Sequence, residues 1–323
     1  MKLGSLRAGG RDGTLVVVSG DGRRMARAVG IAPTLQAALD DWSRAAPALR
    51  ALAARLEGGL AGEPVDQHEM ASPLPRAYDW LDGSAFLSHV ERVRRARGAA
   101  MPPELKTEPL VYQGGSGTLM GPREPFALGD PAWGLDIEAE LAVITGDVPR
   151  GVSSADAAPS VLLVCLINDW TLRGLVPAEL AKGFGFVISK PPTAFAPWAV
   201  TPDELPWHDG VPGGRPALRV TARINDRELG TCEAREMHFS FGDLIAHVAR
   251  MRALGAGTII GSGTVSNQDP ARGVCCLVEK RALETIATGD ARTGYLRAGD
   301  RVQITAHDER GRDIFGAIDE VVT

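Results

Sequence analysis

The sequence predicts an α+β, β-rich fold with a small N-terminal α/β domain. Three observations carry that expectation. The 323 residues include 38 glycines and 22 prolines, a supply of turn formers that favours short strands over a helical bundle. Beyond Leu110, strand-like segments recur without regularly alternating helices, which argues against a doubly wound parallel sheet. Hydrophobic residues at 44% and charged residues at 23% are an ordinary globular mixture, and the length suffices for two domains with a sizeable core. The expected division is residues 1–70 as the small domain and its linker, and residues 71–323 as the larger domain.

Taken in order, Leu3–Leu6 and Leu15–Val18 flank Gly9-Gly10-Arg11-Asp12-Gly13, a hairpin-like pattern. Thr34 then opens a stretch with Leu35, Leu39, Trp42, Ala46, Leu49, Leu52 and Leu56 at helical spacing, which Pro47 should kink or split and Gly58-Gly59 should stop. The polar, proline-punctuated segment from Ala61 to Pro75 reads as a linker. Phe86, Val90 and Val93 form a stripe that predicts a helix over Phe86–Arg97. Strands are expected at Asp136–Ile144, Val161–Asp169, Leu218–Ile224, Arg301–Ala306 and Ile314–Val322. One helix, Phe241–Met251, interrupts them, with Ser240 and Asp243 at capping-box spacing. Two glycine-rich runs, Gly114–Gly117 and Gly255–Gly261, lack the context of phosphate-binding loops and read as tight turns.

Several functions are disfavoured at once. A net charge of −5 gives no broad basic face for nucleic acid. The longest apolar run, Val161–Ile167, is too short to span a bilayer. The first residues lack the apolar core of a secretion signal. Cys165, Cys232, Cys275 and Cys276 match no metal-finger spacing. The expectation is a cytoplasmic protein with reduced thiols and no membrane or nucleic-acid partner.

Chemistry concentrates in carboxylates. Alternate residues of a strand share a face, so Asp136, Glu138 and Glu140 should point one way, with Cα atoms about 6.5–7 Å apart. That spacing lets neighbouring side chains reach one cation, although an exposed acidic edge would look the same. Asp169 ends the apolar run of a buried strand, where a carboxylate must be paired, hydrogen-bonded or metal-bound. Asp82 is a candidate fourth ligand. An all-oxygen set suits Mg2+, Mn2+ or Ca2+ better than zinc. Arg173 and Lys182, shortly after Asp169, are candidate cations for an anionic substrate.

At this point the chain resembles the fumarylacetoacetate hydrolase family. The blocks that match, in the family's order, are Asp82 with His89; Tyr112 before Gln113-Gly114; Asp136-Ile137-Glu138-Ala139-Glu140; Asn168-Asp169-Trp170; Lys182-Gly183-Phe184-Gly185; Ser262-Gly263-Thr264; and Glu279. The resemblance implies a mixed β-sandwich roll with a divalent metal in a cleft. It places Asp82, Glu138, Glu140 and Asp169 on the metal ligands, His89 on the general base and Glu279 on its orienting acid. Arg173 and Lys182 fall on groups that stabilise negative charge, and Tyr112, Thr264 and Ser84 on substrate-facing positions. Ser84, Val176 and Phe186 stand where the family pattern expects tyrosine, glutamine and threonine, which puts the substrate in more doubt than the reaction class. The implied reaction is hydrolysis of a carbon–carbon bond in a 1,3-diketo acid of the fumarylacetoacetate or acylpyruvate type. The alternatives are isomerisation, hydration or decarboxylation of a 2-oxo-dicarboxylate in aromatic catabolism, or a non-catalytic metal-binding role. A two-fold homodimer is also implied; light scattering that returned a mass near the monomer's 34.1 kDa at every concentration would reject it.

Overall fold

Short apolar runs bounded by turns form seventeen strands in the computed structural model, which describes residues 1–323. In chain order they are β1 (Lys2–Leu6), β2 (Thr14–Val18), β3 (Arg24–Arg27), β4 (Glu63–Pro64), β5 (Trp80–Gly83), β6 (Val111–Gln113), β7 (Leu135–Asp136), β8 (Ala139–Thr145) and β9 (Val161–Asn168). There follow β10 (Thr171–Leu172), β11 (Ala194–Phe195), β12 (Ala199–Val200), β13 (Arg219–Ile224), β14 (Arg227–Glu233), β15 (Ile259–Gly261), β16 (Arg301–His307) and β17 (Ile318–Val321). One large sheet runs β4-β3-β2-β1-β12-β9-β8-β15-β5-β6, with β11 added beside β9; a second has the order β14-β13-β16-β17. The N-terminal strands therefore continue the sheet that carries β8 and β9.

Strand β9 shows why the two layers form. Leu163, Cys165 and Ile167 pack with Leu35, Leu39 and Leu49 on one face, while Val164 and Leu166 join Val220, Ile304 and Ile318 of the four-stranded sheet on the other. A strand buried on both faces reads as a continuous apolar run, which is what Val161–Ile167 is. The result is the mixed, β-rich α+β fold the sequence predicts.

Seven α-helices accompany the sheets: α1 (Leu35–Leu39), α2 (Trp42–Glu57), α3 (Leu87–Ala96), α4 (Ser154–Ala157), α5 (Val176–Leu180), α6 (Phe241–Val248) and α7 (Leu277–Thr288). The Ala-rich N-terminal stretch splits at Asp40-Asp41, not at Pro47, which lies inside α2. The proline removes one backbone donor, and the buried stripe of Ala45, Leu49 and Leu56 offsets that loss. Helix α6 carries the expected capping box, with Asp243 N–H donating to Ser240 Oγ at 3.1 Å and Ser240 N–H to Asp243 Oδ2 at 2.8 Å.

Four local expectations need correction. The segment 61–75 is no free linker, because β4 pairs with β3, Met70 is buried and Ala71 N–H donates to Ser5 O at 2.9 Å. The strand expected at Asp136–Ile144 is two strands, interrupted at Ile137-Glu138. The strand expected from Ile314 starts only at Ile318, after a turn at Gly316 (φ +74°) in which Asp313 Oδ1 accepts from Phe315 and Gly316 N–H. Helix α7 occupies a region read as mainly strand, so Glu279 sits in a first helical turn.

Candidate active site

Asp82 lies on β5, Glu140 on β8 and Asp169 immediately after β9. Strand β15 runs between β5 and β8, parallel to the first and antiparallel to the second. It ends in Gly261, where a Cβ would stand 2.2 Å from Asp82 Oδ1. Glycine there leaves the room the carboxylate needs. Asp82, Glu140 and Asp169 each offer an oxygen within 4.8 Å of the others. Glu138, the fourth expected ligand, stands apart from that trio: Oε1 accepts from Arg173 at 2.7 Å, and Oε2 from Lys190 at 2.6 Å and Thr171 at 3.1 Å.

The electrostatics of the trio call for a cation. Asp82, Asp136, Glu138, Glu140 and Asp169 are all buried, and only Arg173 and Lys190 pair with this group. Neither oxygen of Glu140 receives a hydrogen bond. Burial, then the neighbouring carboxylates Asp82 and Asp169, push the Glu140 carboxyl well above its ordinary range; burial and Asp169 do the same to Asp82. Burial would also raise Glu138, but Arg173 and Lys190 hold it below the usual range. An orphaned carboxylate among converging oxygens fits a hard divalent cation with oxygen ligands.

Lys190 enters from β11's side of the sheet. Its Nζ donates to Asp169 Oδ2 at 2.5 Å, Glu138 Oε2 at 2.6 Å and Thr171 Oγ1 at 2.9 Å. Glu179 fixes the approach, because its carboxylate accepts from the N–H groups of Val187, Ile188 and Ser189 at 2.9–3.1 Å and from Ser189 Oγ. Lys182 does not enter the site: it is exposed, in the turn after α5. The lysine on the cavity wall is therefore not Lys182, contrary to the expectation, but Lys190. The first is followed by Gly183 (φ +75°) in a solvent-facing loop; the second is tied between a clamped stem and a strand. Arg173 lines the cavity, with Nε on Asp136 at 2.8 Å and a terminal nitrogen on Glu138. Asp136 does not share the side of Glu140 that faces Asp82 and Asp169. Its carboxylate also accepts from Leu277 and Val278 N–H at 2.7 and 2.9 Å, capping α7 where the helix dipole favours an anion.

His89 on α3 and Glu279 on α7 meet, Nδ1 to Oε2, at 2.9 Å. The other oxygen of Glu279 accepts from Arg92 at 2.5 Å and from Ser266 Oγ at 2.8 Å. Burial would raise Glu279, but His89, Arg92 and Ser266 hold its carboxyl below the ordinary range. Cys276 Sγ lies 3.8 Å from the same Nδ1; burial keeps its thiol well above its usual value and hence neutral. His89, Asp82, Glu138, Glu140, Arg173 and Lys190 line one cavity of about 360 Å3, with Ser84, Tyr112 and Thr264 also on its wall. Tyr112 donates to Asp169 Oδ2 at 2.6 Å.

The sequence profile of "Fumarylacetoacetate (FAA) hydrolase C-terminal" matches residues 80–323, and that of "Fumarylacetoacetase N-terminal domain 2" matches residues 1–76. The chain belongs to the fumarylacetoacetate hydrolase family. A 2,4-didehydro-3-deoxy-L-rhamnonate hydrolase of Sphingomonas sp. (strain SKA58) is 28% identical over 163 residues, 50% of this chain and 54% of that protein, so the match spans about half of either. Two solved structures share the fold over 100% of this chain. One is maleylpyruvate hydrolase from Sphingobium sp. SYK-6 in complex with manganese(II) and pyruvate (20% identity, 99% of that chain, TM-score 0.66). The other is 5-carboxymethyl-2-hydroxymuconate delta-isomerase from Mycobacterium smegmatis (17% identity, 98% of that chain, TM-score 0.61). No helix is long and apolar enough to cross a membrane.

In this member of the fumarylacetoacetate hydrolase family, the sequence reading missed Lys190, Thr193, Arg92 and Ser266. Thr193 Oγ1 donates to Asp169 Oδ1 at 2.8 Å. A signal existed for the first two: Lys190-Pro191-Pro192-Thr193 leads straight into the buried Ala194–Phe195, a segment that has to lie beside another strand. Nothing local marks Arg92 or Ser266, whose partner Glu279 is 187 and 13 residues away.

Proposed function

We propose that the chain is a divalent-metal-dependent hydrolase that cleaves a carbon–carbon bond in a 1,3-diketo acid of the fumarylacetoacetate or acylpyruvate type. The observation that carries this reading is that His89, held by Glu279 at 2.9 Å, lines the same cavity as Asp82 and Glu140, whose oxygens converge with that of Asp169. Mg2+ or Mn2+ is the proposed occupant of the carboxylate site, held by Asp82, Glu140 and Asp169 with Glu138 beside them; when bound, it would supply Lewis-acid polarisation of the substrate carbonyl. The manganese of the maleylpyruvate hydrolase structure supports a cation of this class.

The chain's own groups divide the remaining work. Glu279 accepts at Nδ1 of His89, which leaves Nε2 as the basic atom and stabilises the imidazolium formed when it takes a proton from water. The oxygen of that water adds to the distal carbonyl carbon. The bond between this carbon and the central carbon then breaks, and its electron pair passes to the leaving enolate. Lys190 and Arg173 stabilise that charge, and the proton held on His89 returns to the central carbon. Tyr112, whose phenol burial and Asp169 push well above its usual range, remains a neutral donor. The same base beside the same cations would also suit a 1,3-proton shift, and the isomerase of like fold keeps that reading as the alternative. Incubation with acylpyruvates and fumarylacetoacetate in Mg2+ or Mn2+, with products identified, tests the proposal: two acids from each substrate support hydrolysis, whereas a recovered isomer would replace it.

Two further outcomes follow from the cations. Lys190→Ala should lower kcat/KM by about a hundredfold or more, the usual cost of removing one donor to developing negative charge. Lys182→Ala should change it by less than about threefold. Equal losses in the two variants would return Lys182 to the site. Arg92 is a positioning residue, drawing part of the Glu279 charge away from His89. With Arg92→Gln the dyad should bind its proton more tightly, moving the acidic limb of the kcat/KM profile to higher pH. A lowered rate with that limb in place would mean Arg92 merely supports the fold.

A further inference from the structure

We infer that the outer half of the cavity is a subsite for an uncharged, apolar acyl tail. On the hydrolase reading above, the favoured substrates are then 2-oxo acids that end in a hydrocarbon group and not in a second carboxylate. Besides its buried carboxylates, the cavity is lined by Phe86, Leu110, Val111, Val176, Leu180 and Phe186, of which Leu110 and Leu180 are half exposed and mark its open side. The Phe186 ring meets Tyr112 edge-on at 5.6 Å, and Tyr112 in turn donates to Asp169. Phe186 thus links the apolar lining to the carboxylate end of the cavity through Tyr112. Val176 and Phe186 are two of the positions where the family pattern expects a polar residue, and both face the cavity.

Charge bookkeeping points the same way. The lining cations are Arg173 and Lys190. Arg173 is engaged by Asp136 and Glu138, and Lys190 by Glu138 and Asp169. A carboxylate at the far end of a substrate would lose its water against apolar side chains with no cation to replace it. A hydrocarbon tail would instead cover Leu110 and Leu180, which are 46% and 51% exposed, and gain from their burial. The competing arrangement is a movement of residues 181–188 that brings Lys182, the one charged residue among them, over the tail.

Binding, not turnover, decides the question. Calorimetry on the full chain with Mn2+ should compare 2-oxobutanoate, 2-oxohexanoate and 2-oxooctanoate with 2-oxohexanedioate. Affinity should rise about fourfold for each methylene buried, and the dicarboxylate should bind at least tenfold more weakly than 2-oxohexanoate. Leu180→Arg, at a half-exposed position that tolerates charge, should reverse that preference. A dicarboxylate that binds as tightly as 2-oxohexanoate, whose tail is uncharged, overturns the subsite, and loss of that affinity in Lys182→Ala would assign tail recognition to the loop. Turnover is read separately with alkanoylpyruvates and an acylpyruvate ending in carboxylate. If neither is cleaved, the hydrolase reading fails while the binding series still decides the tail subsite.

Discussion

Stripping divalent cations with a chelator should reduce turnover below detection, and Mg2+ or Mn2+ should restore it. Glu140→Gln should weaken metal affinity by one to several orders of magnitude, because it replaces a buried carboxylate that no hydrogen bond satisfies with a neutral, poorer ligand. Full activity after exhaustive chelation would rule out the metal reading. The pH dependence has a definite sign. In the metal-free protein, Asp82 and Glu140 have carboxyls raised above their unfolded values. Their contribution to stability is therefore full below about pH 4 and is lost as pH rises through the raised values. Glu138 and Glu279, both lowered, act oppositely and lose their contribution as pH falls through the acidic range. The metal-free protein should accordingly weaken as pH climbs from mildly acidic to alkaline, and the melting-temperature gain on adding metal should grow over the same interval. At a hundred times its Kd the cation would contribute about 2.7 kcal/mol. A gain that shrinks as pH rises would contradict the proton competition at these carboxylates.

His89→Ala and Glu279→Gln should each lower kcat by about a hundred- to ten-thousand-fold, and the double variant should lose little more than the worse single one. Groups that act as a unit are non-additive, and the 2.9 Å contact joins these two into one base. Metal affinity should change little in either variant, since both residues lie outside the Asp82, Glu140 and Asp169 trio. Near-normal turnover of acylpyruvates in both variants would exclude the water-activating role and favour chemistry that needs no attacking water. Glu279→Gln also leaves Arg92 facing a neutral amide, so its melting temperature should be measured beside its rate. Loss of rate without loss of stability is the outcome expected of an orienting acid.

What could be read locally was what a short stretch of chain dictates by itself. Asp169 was recognisable because it ends an apolar strand, where a carboxylate needs a partner, and Glu140 because alternation along one strand aligned it with Glu138. The Ser240–Asp243 cap was recognisable because both partners lie within one helical turn. The resemblance added the order of the motif blocks and, through it, His89 and Glu279 as a pair. Helix α7 was missed because Cys275-Cys276-Leu277-Val278 reads as strand. Its start is secured by Asp136, 141 residues earlier in the chain, a partner that no local window contains.

The lysine shows most plainly what the tertiary structure alone decided. Lys182 and Lys190 are eight positions apart, each with small or cyclic neighbours, and either satisfies a spacing rule. Pairing of β11 with β9 and the Glu179 clamp on residues 187–189 bring one to Asp169 and leave the other in water. The same holds for Asp136 and Glu138: alternation puts both on one face with Glu140, but the break at Ile137-Glu138 turns Asp136 to α7 and engages Glu138 with Arg173. Sequence thus determined which residue types had to be buried and charged here, because periodicity and desolvation act over a few residues. Which of them share a site was decided by strand pairing and helix packing between segments 26 to 190 residues apart, and those contacts exist only once the sheets close on each other.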